Sequence, residues 1–143
     1  NNPCNEPIKI LNQGKASGIL TGGNLTVICS TLGSQYEIDT KNKILFIEDI
    51  GEEPYKIDRM LTHLKLCGQF EDLKGIIIGK FTNCEPSNTS RSLTLREVIE
   101  ENILPLKKPT IYNFQCGHCM PTLTLPLGEN IYLDAISGSI EVL

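Results

Sequence analysis

The chain has 143 residues, 13 of them basic and 17 acidic, giving a net charge of −4, with 40% hydrophobic and 21% charged residues. This length suits one domain and the composition is globular, so global disorder is excluded and residues 1–143 are read as a single compact domain. There is no basic stripe and no apolar run near the ~18 residues of a membrane span, so neither nucleic acid nor membrane is an expected partner.

The opening stretch Asn1-Asn2-Pro3-Cys4-Asn5-Glu6-Pro7 has no basic or apolar region of the kind that makes a secretory signal. It also lacks an initiating methionine, which points to a fragment or a processed chain. Six cysteines stand at 4, 29, 67, 84, 116 and 119. The chain is longer than small disulfide scaffolds, and two cysteines fall on apolar faces of predicted helices. The thiols are therefore read as mostly reduced, in a cytoplasmic protein.

The first predicted element is a helix over residues 24–32. Leu25, Ile28, Cys29 and Leu32 share one face, Asn24 can cap the start and Gly33 can end it. A strand follows over 43–49, where the unbroken run Ile44-Leu45-Phe46-Ile47 implies burial on both faces and then stops at Glu48-Asp49. A second helix is predicted over 54–66. Pro54 suits its first turn, Glu52 and Glu53 complement its dipole, and Ile57, Met60, Leu61 and Leu64 form its apolar stripe. Residues 75–81 read as another buried strand, and 83–92 as a mobile polar loop. Thr94 and Glu97 have the spacing of a capping box for a third helix, with Leu95, Val98, Ile99 and Ile103 on its apolar face. Residues 110–114 read as a strand, and short strands are predicted around Leu123, Ile131 and Ile140. Helices interleaved with continuous apolar strands define a mixed α/β domain.

Several chemistries are open at Cys116-Gly117-His118-Cys119. A redox dithiol needs its first cysteine at a helix N-terminus, and Pro121 and Pro126 argue against a helix there. A zinc site would pair Cys116, His118 and Cys119 with His63 or Cys67, which gives a non-catalytic metal- or ligand-binding domain. His118 could equally be a satisfied structural histidine. Glu48 and Asp49 could be solvated acids at a strand end. A carboxylate and a histidine at the ends of two strands also supply two members of a hydrolytic triad. A nucleophile is missing, because none of the serines at 17, 30, 34, 87, 90, 92, 137 and 139 sits in a G-x-S-x-G elbow. The Gly22-Gly23-Asn24 segment reads as a turn before a helix. It either offers backbone N–H groups to an anion or simply needs glycine.

Five stretches in order resemble the C-terminal domain of LD-carboxypeptidases, serine peptidases that include the microcin-immunity proteins. They are Gly14–Leu25, Ile44–Asp49, Pro54–Leu61, Gly75–Phe81 and Gly117-His118, and the likeness spans roughly residues 8–135. The resemblance implies a swivelling β/β/α fold. It implies that Glu48 and His118 are catalytic and join a serine carried by an N-terminal domain of the same polypeptide. The implied reaction releases terminal D-alanine from cytoplasmic muropeptides in peptidoglycan recycling, with no metal or other cofactor. Cleavage of aminoacyl-nucleotides is the alternative within the family. A substrate-binding role for Gly22, Gly23 and Asn24 and a homodimeric assembly are further expectations. Cys116 and Cys119 depart from the family motif and receive no role.

Overall fold

The two unbroken apolar runs of the sequence form the middle of a sheet. A computed structural model describes residues 7–143. Its strands are β1 (Lys9–Asn12), β2 (Lys15–Asn24), β3 (Ile44–Ile50), β4 (Gly75–Thr82), β5 (Thr110–Tyr112), β6 (Asn130–Asp134) and β7 (Ser139–Val142). Its helices are α1 (Leu25–Thr31), α2 (Pro54–Leu66) and α3 (Leu95–Ile103), the last continued by one 3-10 turn over Leu104–Leu106. The seven strands lie in the order β1-β5-β4-β3-β2-β6-β7. β2 to β5 are parallel to one another, while β1, β6 and β7 run antiparallel to their neighbours.

β3 is central, and its residues alternate between two cores because successive side chains in a strand face opposite ways. Leu45 and Ile47 point to the face covered by the helices, where they join Leu25, Ile57, Leu61, Leu64, Val98 and Ile99. Ile44 and Phe46 point to the other face, among Leu20, Ile77, Ile111, Phe114, Ile131 and Leu133. Among the described residues no helix lies on that second face. It is closed by β6, β7 and the irregular segment that carries Cys116, Leu123 and Leu125. β2 joins the two parts of the sheet: residues 20–24 pair with β3, and residues 15–19 pair with β6 on the other side. The result is a single mixed α/β domain with a curled sheet. Each fully buried Leu or Ile in the two cores contributes about 1.5–3 kcal/mol of hydrophobic stabilisation.

The predicted helices are present. Asn24 caps α1 by accepting from the Val27 N–H, and Thr94 and Glu97 form a reciprocal capping box on α3. The strand-like regions differ more. β1 and most of β2 have no counterpart among the predicted elements, because a strand containing Gly18, Gly22 and Gly23 has low β-propensity. Gly22 and Gly23 form no turn; they continue the ladder opposite Phe46 and Ile47. At Gly22, φ is +131° and a Cβ would run into the Phe46 carbonyl oxygen, so the pairing itself requires glycine. The predicted strand around Leu123 is irregular chain between Pro121 and Pro126, neither of which can donate to a ladder. β5 stops at Tyr112 because Asn113 adopts φ +67°. Cys29 packs against the helix-face core, whereas Cys67 is exposed. Cys29, Cys67, Cys84, Cys116 and Cys119 are free thiols, and Cys4 lies outside the described residues. No helix among the described residues is long and apolar enough to cross a membrane.

The contrast between Leu61, fully buried, and Leu66, 81% exposed on the same helix, gives a direct check. Leu61→Ala is expected to lower the unfolding free energy by about 2–5 kcal/mol. Leu66→Ala should change it by less than ~0.5 kcal/mol. Urea denaturation of both variants measures the difference.

Candidate active site

β3 ends in Glu48 and Asp49, and strand alternation sends the two carboxylates to opposite faces. Both are buried, at 5% and 2% exposure. Glu48 follows Phe46 to the helix-free face and Asp49 follows Ile47 to the helix face. The ladder between β3 and β4 is irregular just here: Ile47 pairs with Ile78 but Asp49 with Phe81, so β4 carries one extra residue. Such bulges re-aim side chains at sheet ends.

Glu48 meets His118 across the end of the sheet. Its Oε2 accepts from the His118 backbone N–H at 3.0 Å and lies 2.8 Å from Nδ1 of the ring. Its Oε1 accepts from the Asn24 Nδ2 at 3.3 Å. A carboxylate is acceptor-only, so Nδ1 carries the proton and Nε2 is left with a free lone pair. Among the described residues Nε2 makes no hydrogen bond, and the His118 side chain keeps 52% of its surface exposed. The hydrogen bond to Glu48, and then its negative charge, raise the His118 pKa above the ordinary 6.5. The arrangement orients an imidazole, sets its tautomer and stabilises its protonated form, which is what a general base requires.

The loop around His118 is built to approach Glu48 closely. Gly117 has φ +117°, and a Cβ there would lie 2.6 Å from Glu48 Oε2 and 2.9 Å from Glu48 Cβ and Cγ. The Thr82 hydroxyl donates to the His118 carbonyl at 2.6 Å, and the Lys80 N–H donates to the Cys116 carbonyl at 3.0 Å. The end of β4 therefore holds the histidine loop on both sides of Gly117. Thr82 carries no sequence signal for this role, since a threonine at a strand end is common and its partner lies 36 residues away.

The other chemistries singled out at this motif are not assembled. His63 is exposed on α2, and among the described residues no group of three or more His, Cys, Asp or Glu side chains is placed to hold a metal. Cys116 follows no helix N-terminus, and burial pushes its thiol pKa upward, away from a reactive thiolate. Burial pushes Cys29 up to about 11 as well. Glu52 pairs with Lys56 at 3.1 Å, and Glu53 accepts from the Ser87 N–H at 3.3 Å. Glu53 occupies the N-cap of α2 but makes no side-chain capping bond. Asn24, expected to meet substrate, spends its carbonyl on Val27 and its amide on Glu48 and Asp49.

Residues 17–133 match the family model for the LD-carboxypeptidase C-terminal domain. The chain belongs to the LD-carboxypeptidase family. It is 48% identical over 128 residues to a probable murein peptide carboxypeptidase of Bacillus subtilis, a match covering 90% of this chain and 40% of that protein. The solved muramoyltetrapeptide carboxypeptidase of Oxalobacter formigenes superposes with a TM-score of 0.80 at 29% identity, over 91% of this chain and 45% of that one. The microcin C7 self-immunity protein MccF, in complex with aspartyl sulfamoyl adenosine, gives a TM-score of 0.80 at 31% identity, over 92% and 39%. The chain thus spans about two-fifths of the length of these relatives.

Two substitutions test the geometry. Glu48→Gln should lower the His118 pKa by removing the carboxylate that holds the ring, and Asp49→Asn should lower it less; NMR titration in a His63→Gln background, with one histidine left, reads both. Gly117→Ala should destabilise the domain by roughly 1–3 kcal/mol from backbone strain alone. It should also break the Nδ1 contact, returning the His118 pKa toward its ordinary value in the same titration.

Proposed function

We propose that this chain supplies the general base and its orienting acid to a serine carboxypeptidase that releases terminal D-alanine from cytoplasmic muropeptides. The observation that carries this reading is the hydrogen bond between Glu48 and His118 with Nε2 left free. His118 takes the proton of a serine hydroxyl at Nε2, and the serine oxygen attacks the carbonyl of the L,D bond. His118 then gives that proton to the departing amine. Water attacks the acyl-enzyme in the second half-reaction, again losing a proton to His118. Glu48 stays ionised throughout and stabilises the imidazolium. The serine comes from an N-terminal domain of the same polypeptide, in keeping with relatives more than twice as long as the matched region. No metal takes part in this scheme.

The surroundings of the pair support a substrate path past the end of β2. A Cβ at Gly23 would meet nothing within 4 Å, so the chain leaves open space at this position, next to Asn24. The substrate peptide runs past Gly22, Gly23 and Asn24 in this reading. A second reading, cleavage of an aminoacyl-nucleotide, is favoured by the likeness to MccF with its bound aspartyl sulfamoyl adenosine.

The test uses the longer polypeptide and the present chain side by side, with a muramoyl tetrapeptide ending in D-alanine and an aminoacyl-nucleotide as competing substrates. The long form should release D-alanine, and Glu48→Gln or His118→Ala should lower kcat by about 10³- to 10⁴-fold. The present chain alone should be inactive. Release at full rate from the present chain would overturn the split site, and turnover of the nucleotide alone would favour the second reading. The rate should also depend on pH in a stated direction. A base must be neutral to act, and the His118 pKa is raised, so kcat/KM should climb with pH through a midpoint above 6.5. The stabilising ion pair runs the opposite way: it is complete at low pH, below the unfolded-state value, and fades as pH rises through the raised one.

A further inference from the structure

Asp49 touches neither His118 nor the open face of the site, yet it is the more deeply buried of the two acids. Burying a carboxylate is costly unless donors surround it. Asp49 has four. Its Oδ1 accepts from Asn24 Nδ2 at 3.0 Å and from the Ile50 N–H at 2.8 Å. Its Oδ2 accepts from the Thr26 N–H at 2.9 Å and the Thr26 hydroxyl at 2.8 Å. This ties the end of β3 to the first turn of α1.

Asn24 is the only one of these partners that also reaches Glu48. It pairs with Glu48 in the β2–β3 ladder, so its side chain stands over the end of the sheet, between the two faces. Its orientation is settled by its neighbours. Oδ1 accepts from the Val27 N–H at 3.1 Å, so Nδ2 is turned to the two carboxylates and gives a bond to each. The flipped amide would set an N–H group against Val27 and a carbonyl against two acids. One amide therefore links two carboxylates that strand alternation has sent to opposite faces.

We propose that Asp49 is a positioning residue for the Glu48–His118 pair: from the helix face it holds the Asn24 carboxamide, and that amide holds Glu48 on the opposite face in the orientation that receives His118. The inference deepens the proposed reaction and rests on it for its catalytic meaning, but the linkage itself is a property of this chain. Without Asp49, the Asn24 amide loses one of its two anchoring acceptors and Glu48 Oε1 loses a fixed donor. The carboxylate is then free to rotate out of line with Nδ1.

A double-mutant cycle read on His118 tests this, since a residue that acts through another must lose its effect when the intermediary is gone. Asp49→Asn keeps the shape but faces N–H donors on both sides with only one acceptor oxygen. Asn24→Ser keeps a helix cap but removes the amide bridge. NMR titration of His118 in the His63→Gln background compares the four combinations. Asp49→Asn is expected to lower the His118 pKa when Asn24 is present and to move it much less when Ser replaces Asn24. Equal shifts in both backgrounds would mean that Asp49 acts as a plain distant charge and would overturn the proposal, as would no shift in either. If Asp49→Asn does not fold, Asn24→Ser alone carries the test: it must lower the His118 pKa, and an unchanged value overturns the linkage. The cycle needs no substrate, so a failed peptidase assay would sink the proposed reaction and leave this result standing on its own.

Discussion

A buried carboxylate with a histidine on one of its oxygens is the constraint from which the rest of the site follows. Glu48 Oε2 takes both the backbone N–H and the ring Nδ1 of His118, so main chain and side chain are oriented by the same atom. For that to happen the histidine loop must lie directly on a strand end. Gly117 permits the approach, and Thr82 and the Lys80 N–H hold the loop from β4. Donors reach both of its oxygens, which offsets the cost of burying a carboxylate. Neutralising it would release the ring, so the acid, the loop and the tautomer stand or fall together.

The curled sheet serves this arrangement. β3 lies at its centre and is buried on both faces, which makes its carboxyl end a rigid place to mount two acids. The helices cover one face, β6, β7 and irregular chain close the other, and it is on that second face that His118 meets Glu48. Open α/β sheets present ligand sites beyond the carboxyl ends of their strands, and here Asn24, Glu48, Asp49 and Thr82 all stand at such ends. The half-exposed imidazole fits a site completed by another part of a longer polypeptide, as proposed above.

Glycine plays two different parts in the ladder and in the loop. At Gly22 it lets β2 lie against the Phe46 carbonyl, and at Gly117 it lets a loop lie against a side chain. Both are close approaches that any Cβ would block. This is why the glycine-rich stretch before α1, read from composition as a turn, proved to be the end of a ten-residue strand.

Much of the framework was legible in the chain itself. The apolar runs of β3 and β4, the stripes of α2 and α3, the Asn24 cap and the Thr94–Glu97 box are local patterns, and local hydrogen bonds and burial periodicity determine them. The family motifs also marked Glu48 and His118. What the sequence could not determine was anything set by distant contact. β1 and β2 become strands because neighbours pair with them, against their own propensity, and the stretch around Leu123 fails to become one because prolines deny it donors. The meeting of Glu48 with His118, 70 residues apart, depends on the curl of the sheet and on the clearance at Gly117. Adjacent acids at a strand end look equivalent in the sequence. Only the tertiary structure separates them, because the pleat sends Glu48 to the open face and Asp49 beneath the helices, and leaves a single asparagine to connect them.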